Sequence, residues 1–584
     1  MKIKNKKQAS STIRPEKQVS QDLPAFNNEN INRKKNSIVA LILIVTFLSF
    51  LPSLHNDLNK TWDDQSYVTN NTQIRSLSFE NVKRVFMEDG YHYPNYHPFC
   101  TLSLAVNYHF SGLEPEGYHY TNLLLHLFNT LLVFVFIYIL TGKRVVAAAV
   151  TSLLFGLLPV HVESVAWISE RKDVLYTFFF LLSLISYQYF IRNNVRKFYF
   201  LTLLFFFCSL LSKAMAASLP LVLLLIDYYM NRDWNRKILL EKIPFVILSI
   251  AFGLLAMYIQ SEYGALVKGP DLPVFRRLLH ASYGFVEYIP KIIVPSGLSA
   301  FYPYPYPFRN GSSVMNFVPL ILFVTFFIAL LMVAFIAYNI IKKSKYSSIV
   351  VFGILFYAIT IALVLQFFPV GSAVMADRYA YIPSIGLLFI IAEFFTIAYN
   401  DPKYKVIVIT GLSIYSVFLF GMTYERCKVW KNDETIWTDV LNKYPNDSRV
   451  SIALKNRAIY HMDIGNYPAA LNDFNAYLRS NPGDADALDK AGKIYARHMN
   501  DVDRALAYFQ AGYQANPLNV DVVYDLAIIY GVKGDHNNSL NYFLKVMELK
   551  GRGDSQLFQY IGNCYRNLGQ AEKAKEFFDK AGVK

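Results

Sequence analysis

The 584-residue chain is 54% hydrophobic and 16% aromatic but only 17% charged. An average soluble domain carries roughly 25% charged residues, so an ordinary soluble globule of this length is excluded. The formal net charge of +14 does not point to nucleic acid, because residues 425–584 hold 21 Lys/Arg against 20 Asp/Glu. The excess lies in an N-terminal tail and in short loops between apolar runs, where it orients a membrane protein. Cys100, Cys208, Cys427 and Cys564 are far apart and form no metal or redox spacing, so free thiols are expected.

In chain order, residues 1–36 carry nine Lys/Arg without an apolar period and read as a disordered basic cytoplasmic tail. "SIVALILIVTFLSFLPSL" (37–54) follows with no small-residue cleavage site after it and reads as a signal anchor. Further apolar runs predict spans at about 118–140, 145–160, 173–191, 197–212, 215–230, 243–260, 314–341, 348–368, 380–399 and 405–423, since about 20 apolar residues cross the hydrocarbon. The loops "GKR" (142–144), "RNNVRK" (192–197), "NRDWNRK" (231–237), "KKSK" (342–345) and "NDPKYK" (400–405) are short and basic. All five fall on the side of the tail if there are eleven spans and "FRRLLHASYGFVEYIPKIIVP" (275–295) is an interfacial helix on the other face. The large loop 55–117 and residues 425–584 are then expected outside the cytoplasm, in a bacterial periplasm or an endoplasmic reticulum lumen.

Residues 425–584 are repetitive. Small residues Ala458, Gly492, Ala527 and Gly562 recur every 34 or 35 positions, followed in step by Ala470, Ala505, Ser539 and Ala574, then by Phe474, Phe509, Phe543 and Phe578. Small residues let paired helices touch and the aromatic fills the space between them, which is the tetratricopeptide pattern. Trp437 and Pro445 read as a degenerate half-repeat joining the array to the last span. The fold class is therefore all-α: a polytopic bundle over 37–424 and a tetratricopeptide α-solenoid over 425–584. Such an array presents a groove for a protein or peptide, or serves as a spacer.

Charged residues at the outer ends of spans are costly and mark sites. Four stretches share that face: "WDDQSY" with Asp63 and Asp64; "YHYPNYHPF" (91–99) with His97; "PVHVESVAWISERKD" (159–173) with His161, Glu163, Glu170, Arg171, Lys172 and Asp173; and "MADRYAYIPSIG" (375–386) with Asp377 and Arg378. Outer loops usually lack positive charge, so Arg171, Lys172 and Arg378 need a reason. A bound phosphate is one, and internal salt bridging among Glu170, Arg171, Asp173 and Asp377 is the other. His97 and His161 lie in no HExxH or comparable metal spacing. Tyr302, Tyr304 and Tyr306 fit an interfacial aromatic belt or a sugar-stacking platform. Glu393 is expected to reach interfacial water at the cytoplasmic end of its span. There is no P-loop, dinucleotide fingerprint or nucleophile elbow.

An acidic pair after the first span, "YHPF" before the second, "LPVHVESVAWISERKD", "DRYAYIPSIG" and a C-terminal tetratricopeptide array, in that order, resemble the transmembrane and tetratricopeptide-containing O-mannosyltransferases of the GT-C superfamily. The likeness runs from residue 37 to 584; Leu158 stands where the family's His-Pro-Val-His element begins with histidine. The resemblance implies an inverting transfer of a sugar from a polyprenyl-phosphate donor to a hydroxyl, expected on protein Ser/Thr. Asp63 matches the general base, with Asp64 in support. His97, His161, Glu163, Arg171, Lys172, Asp173 and Arg378 are expected to bind substrate, Arg171 and Arg378 facing the departing phosphate. No cofactor is assigned, and a divalent metal stays open because some members use one. Two readings compete. A non-catalytic scaffold would recruit envelope or secretory proteins through the repeats. A transporter would need polar residues at mid-membrane in broken helices, whereas these runs are mostly Leu, Phe and Ile.

Overall fold

The computed structural model describes residues 28–87, 91–92, 95–262, 274–305, 320–342, 346–367 and 373–582. Most of the N-terminal tail, Tyr306, the greater part of the "KKSK" loop and the first residues of the run at 314–341 lie outside the described residues.

The chain is nearly all helix. The first part comprises α1 (Asn28–Phe50), α2 (Phe79–Met87), α3 (Pro98–Ser111), α4 (Pro115–Leu140), α5 (Val145–Leu157), α6 (Val162–Ala166), α7 (Arg171–Asn193) and α8 (Arg196–Ser212). It continues through α9 (Leu219–Tyr229), α10 (Arg236–Glu262), α11 (Val274–Ile293), α12 (Leu320–Lys342), α13 (Ser347–Ile361), α14 (Ser384–Tyr399) and α15 (Pro402–Val429). Two small antiparallel pairs interrupt it: β1 (Tyr91–His92) with β2 (Asn95–Tyr96), and β3 (Tyr302–Pro303) with β4 (Ala373–Met375).

Each of the eleven apolar runs forms a helix. Among the described residues seven are long and apolar enough to cross a membrane, so this is a multi-pass membrane protein. Of the other four, α8 keeps its expected length, while α5, α9 and α14 are shorter than the sequence predicted. Helix α5 stops at Leu157, and Pro159, lacking an N–H, turns the chain by 53° into the segment ending at Ala166. Helix α14 starts only after a tight turn over Asp377–Ala380. Both breaks lie at the same end of the bundle, where the candidate site is built.

Helix α7 is the most enclosed span, with 72% of its apolar window buried against 11% for α12 and α15. It packs along α4 and α8, and α5 fits between α1, α4 and α14. The turns at the opposite end are made by residues that tolerate a left-handed backbone, Gly142 (φ 70°) and Asn194 (φ 51°). Helix α11 lies outside the set of long apolar helices and carries Pro290. Glu393 does not reach water: it is fully buried on α14 and bonded to Arg144 at 2.6 Å, a cation from the "GKR" turn. Tyr302 and Tyr304 are likewise buried rather than displayed at an interface, because their hydroxyls donate to Asp377 (2.5 Å) and Gln366 (3.0 Å).

After α16 (Asp433–Lys443) come four antiparallel helix pairs: α17 (Ser451–Asp463) with α18 (Tyr467–Ser480), α19 (Ala485–Arg497) with α20 (Val502–Ala515), α21 (Val520–Val532) with α22 (His536–Lys550), and α23 (Ser555–Asn567) with α24 (Ala571–Ala581). Asp or Asn side chains cap six of their N-termini, at Asn466, Asp484, Asp501, Asn519, Asp535 and Asp554. The periodic small residues do what their spacing requires. A Cβ on Gly492 would stand 2.7 Å from the Phe509 ring, and one on Gly562 2.8 Å from Phe578.

Candidate functional site

The segment after α1 folds back onto the junction between α15 and α16. The Asp57 N–H donates to the Lys431 carbonyl (2.7 Å), Asn56 donates to the Cys427 carbonyl (3.2 Å), and Thr61 donates from N–H (3.2 Å) and hydroxyl (2.5 Å) to Asp433. Trp62 completes the clamp. Its ring lies 4.3 Å from Trp167, 5.0 Å from Trp437 and 6.4 Å from Trp430, so four tryptophans from distant parts of the chain stack together. Trp437, expected as part of a half-repeat, therefore joins the array to this stack.

Asp63 and Asp64 follow, and they face opposite ways. Asp64 is fully buried: one oxygen accepts from the Asn59 N–H (2.9 Å), the other from the Ser169 N–H (2.9 Å) and hydroxyl. Burial pushes its carboxyl up to about 7 despite those bonds. Asp63 keeps about a third of its side chain exposed and pairs with Lys172 Nζ at 3.6 Å.

Lys172 leads into a cluster in which three cations converge on Glu170. Lys172 Nζ lies 3.2 Å from one Glu170 oxygen, Arg378 Nε 3.2 Å from the same oxygen, and Lys213 Nζ 3.5 Å from the other. Lys213 also binds Asp173 at 2.5 Å, and the Arg378 guanidinium binds Glu163, which accepts from the Arg378 backbone N–H as well (3.0 Å). Glu170, Lys172 and Asp173 come together because the chain leaves the α5–α6 break through an extended Trp167 and a tight turn, so α7 begins at Arg171 with these side chains around its first turn. Arg378 arrives on the turn before α14, and Lys213 on the extended residue between α8 and the turn preceding α9. Lys172 and Arg378 also lie over aromatic rings, Tyr67 at 4.7 Å and Tyr379 at 4.8 Å.

His97, at the start of α3, is buried, and among the described residues its Nδ1 has no hydrogen-bond partner. Burial, with Lys172 and Lys213 nearby, holds its pKa well below the ordinary histidine value, so the ring is neutral and can donate or accept.

Thus Asp63, Glu163, Lys172, Asp173 and Arg378 belong to one cluster, with His97 beside it, and two other candidates point elsewhere. Arg171 is fully buried, and each guanidinium nitrogen is engaged: Nε with Asn122, Nη1 with the Ser103 hydroxyl (2.7 Å) and Nη2 with the Tyr118 carbonyl (2.8 Å). It ties α7 to α3 and α4. His161 bridges the Phe155 carbonyl (2.9 Å) and the Ser384 hydroxyl (3.1 Å), bracing the α5 break against α14. Asp377 belongs to a neighbouring network with Tyr302, Arg426 and Asp439, and burial raises its pKa.

Sequence reasoning missed Lys213 and Asp433. Lys213 carried the signal that singled out Lys172 and Arg378, a cation between two apolar runs at the same end of the bundle. Asp433, which burial pushes up to about 6, had no sequence signal, because its partner Thr61 is 372 residues away. Among the described residues no three His, Cys, Asp or Glu side chains come together to hold a metal. Glu163, Glu170 and Asp173 each bind a lysine or arginine instead, so the donor set does not fit a divalent ion.

A tetratricopeptide repeat family model matches residues 556–581, the last helix pair. Protein O-mannosyl-transferase TMTC1 of Mus musculus is 38% identical over 102 residues, 18% of this chain and 11% of that protein. Protein O-mannosyl-transferase TMTC2 of Homo sapiens is 43% identical over 93 residues, 16% of this chain and 11% of that protein. The chain resembles these mannosyltransferases. The TMTC4 protein of Mus musculus is 32% identical over 165 residues, and the match spans 22% of its length, so the similarity to the O-mannosyl-transferases covers a minor part of each relative. Among solved structures, the crystal structure of MamA protein aligns with 25% of this chain and 77% of its own at 23% identity and a TM-score of 0.23.

Proposed function

We propose that this chain is a membrane glycosyltransferase of the O-mannosyl-transferase type, moving a sugar from a polyprenyl-phosphate donor to a protein hydroxyl on the non-cytoplasmic side. The N-terminal tail is cytoplasmic, residues 37–424 carry the reaction, and the repeats over 425–584 receive the acceptor or a partner protein. The observation that carries this reading is the accessible carboxylate of Asp63 at the rim of a buried cluster of three cations. The names of the relatives support the type of transfer.

The acceptor O–H gives its proton to Asp63 as its oxygen attacks the anomeric carbon, and the bond from that carbon to the phosphate oxygen breaks with both electrons leaving on phosphate. Attack opposite the leaving group inverts the centre. Lys172, Lys213 and Arg378 offset the charge that develops on the phosphate. Glu163, Glu170 and Asp173 keep those cations fixed before substrate arrives, so little reorganisation is needed during the reaction. The Lys172 ammonium has three N–H donors, enough to hold Glu170 and Asp63 and still meet a phosphate oxygen. Neutral His97, whose Nδ1 has no partner among the described residues, is placed to hydrogen-bond a sugar hydroxyl. No step passes through a metal.

The test incubates the purified full chain in detergent with polyprenyl-phosphate mannose and a Ser/Thr-containing acceptor, followed by mass spectrometry of the acceptor. Addition of one hexose, lost in Lys213→Met, supports the reading. No transfer from any polyprenyl-phosphate sugar overturns it.

A further inference from the structure

At the end of the bundle opposite Asp63, helices α1, α4 and α7 leave a cavity of about 730 Å³. Lys172 and Arg192 stand at the two ends of α7, about 30 Å apart at 1.5 Å per residue, which is one hydrocarbon thickness. The cavity and the candidate reaction site therefore face opposite membrane surfaces.

Its walls are apolar, with Val39 and Leu43 from α1 and Leu131 and Val135 from α4. Spacings of four residues place each pair on one helix face. Its mouth is basic: Lys35, Lys143 and Arg192 line it, and no acidic side chain does. None of the three cations has a carboxylate partner among the described residues, unlike Lys172, Lys213, Arg232, Lys242 and Arg378 elsewhere in the bundle. The negative end of α4 meets the side chain of Arg192 alone among the three. Its last carbonyls are already taken: Tyr138 by the Lys143 N–H (2.7 Å), Ile137 by the Thr141 N–H (2.9 Å), and Ile139 by the Gly142 N–H (3.1 Å) and the Arg192 guanidinium. Lys35 lies 5.4 Å over the Tyr138 ring, which keeps it at the rim.

An apolar slot under three cations that no carboxylate among the described residues pairs, at the depth where a bundle meets the headgroups, fits an amphiphile with an anionic head. We infer that this cavity binds an anionic glycerophospholipid, its acyl chain against α1 and α4 and its phosphate among Lys35, Lys143 and Arg192. The site is separate from the proposed transfer chemistry and does not depend on it.

Native mass spectrometry of the full chain, released from detergent containing equal phosphatidylglycerol and phosphatidylcholine, tests this. Retention of phosphatidylglycerol over phosphatidylcholine is expected, with the ratio falling roughly fivefold for each cation removed in Lys35→Gln, Lys143→Gln and Arg192→Gln. Lys403→Gln/Lys405→Gln, which removes two basic residues outside the cavity, keeps the wild-type ratio. Lys143 sits in an exposed turn, so K143Q reports binding even if R192Q loosens the α4–α7 contact. Equal retention of both lipids by the wild type, an unchanged ratio in K143Q, or displacement of phosphatidylglycerol by inorganic phosphate overturns the inference.

Discussion

Substituting the two adjacent acids one at a time separates chemistry from architecture. Asp64→Ala removes the acceptor for three buried donors, the Asn59 and Ser169 N–H groups and the Ser169 hydroxyl. A buried donor left without a partner costs about 1–3 kcal/mol. Even at the lower bound the three together weaken the docking of the loop by about 3 kcal/mol, a large share of a typical domain's stability. Asp63→Asn instead alters a side chain that keeps about a third of its surface in solvent and has one ion pair at 3.6 Å. Such a pair contributes about 0.2–1 kcal/mol, so the unfolding midpoint should barely move. Loss of a general base lowers turnover by about 10²–10⁴-fold. The assay is paired: thermal unfolding of each full-length variant in detergent, and hexose transfer from polyprenyl-phosphate mannose. The expected outcome is a stable, inactive Asp63→Asn and a destabilised Asp64→Ala. Near-wild-type transfer by Asp63→Asn, or an Asp64→Ala protein that unfolds no earlier than wild type, refutes the reasoning.

Asp433→Ala, on the first helix after the last span, removes the acceptor of the partly buried Thr61 N–H and hydroxyl and should lower transfer and stability together, by about 0.5–1.5 kcal/mol for each bond in an unfolding measurement. The carboxyls of Asp64 and Asp433 are raised by burial to about 7 and about 6 from ordinary values near 4, so the folded form takes up protons that the unfolded chain does not. Their contribution is fully present below pH 4 and is lost as pH rises through 6 and 7, so the unfolding midpoint should fall across that window, and fall less in Asp433→Asn. Gly386→Ala places a Cβ 2.3 Å from the Gly353 carbonyl oxygen where α13 and α14 cross, and should destabilise the bundle by about 1–3 kcal/mol in the same thermal assay.

By itself the sequence determined the helical bundle and the repeat array. Apolar runs of membrane length must close their backbone hydrogen bonds internally, and a 34- or 35-residue period of small residues and aromatics permits one kind of helix pairing. It also brought out the residue types at the candidate site, because acids and cations at the ends of apolar helices are costly wherever they pair. Tertiary structure alone decided which of them meet. Arg171 and Lys172 are neighbours, yet one step around α7 sends the first to Asn122, Ser103 and Tyr118 and the second to Glu170 and Asp63. Asp63 and Asp64 divide in the same way, and the clamp that orients them comes from Asp433 and Trp437 on α16. Periodicity reports the face a residue occupies within its own helix. The partner on that face is set by how the helices pack, and here the partners lie up to 376 residues apart.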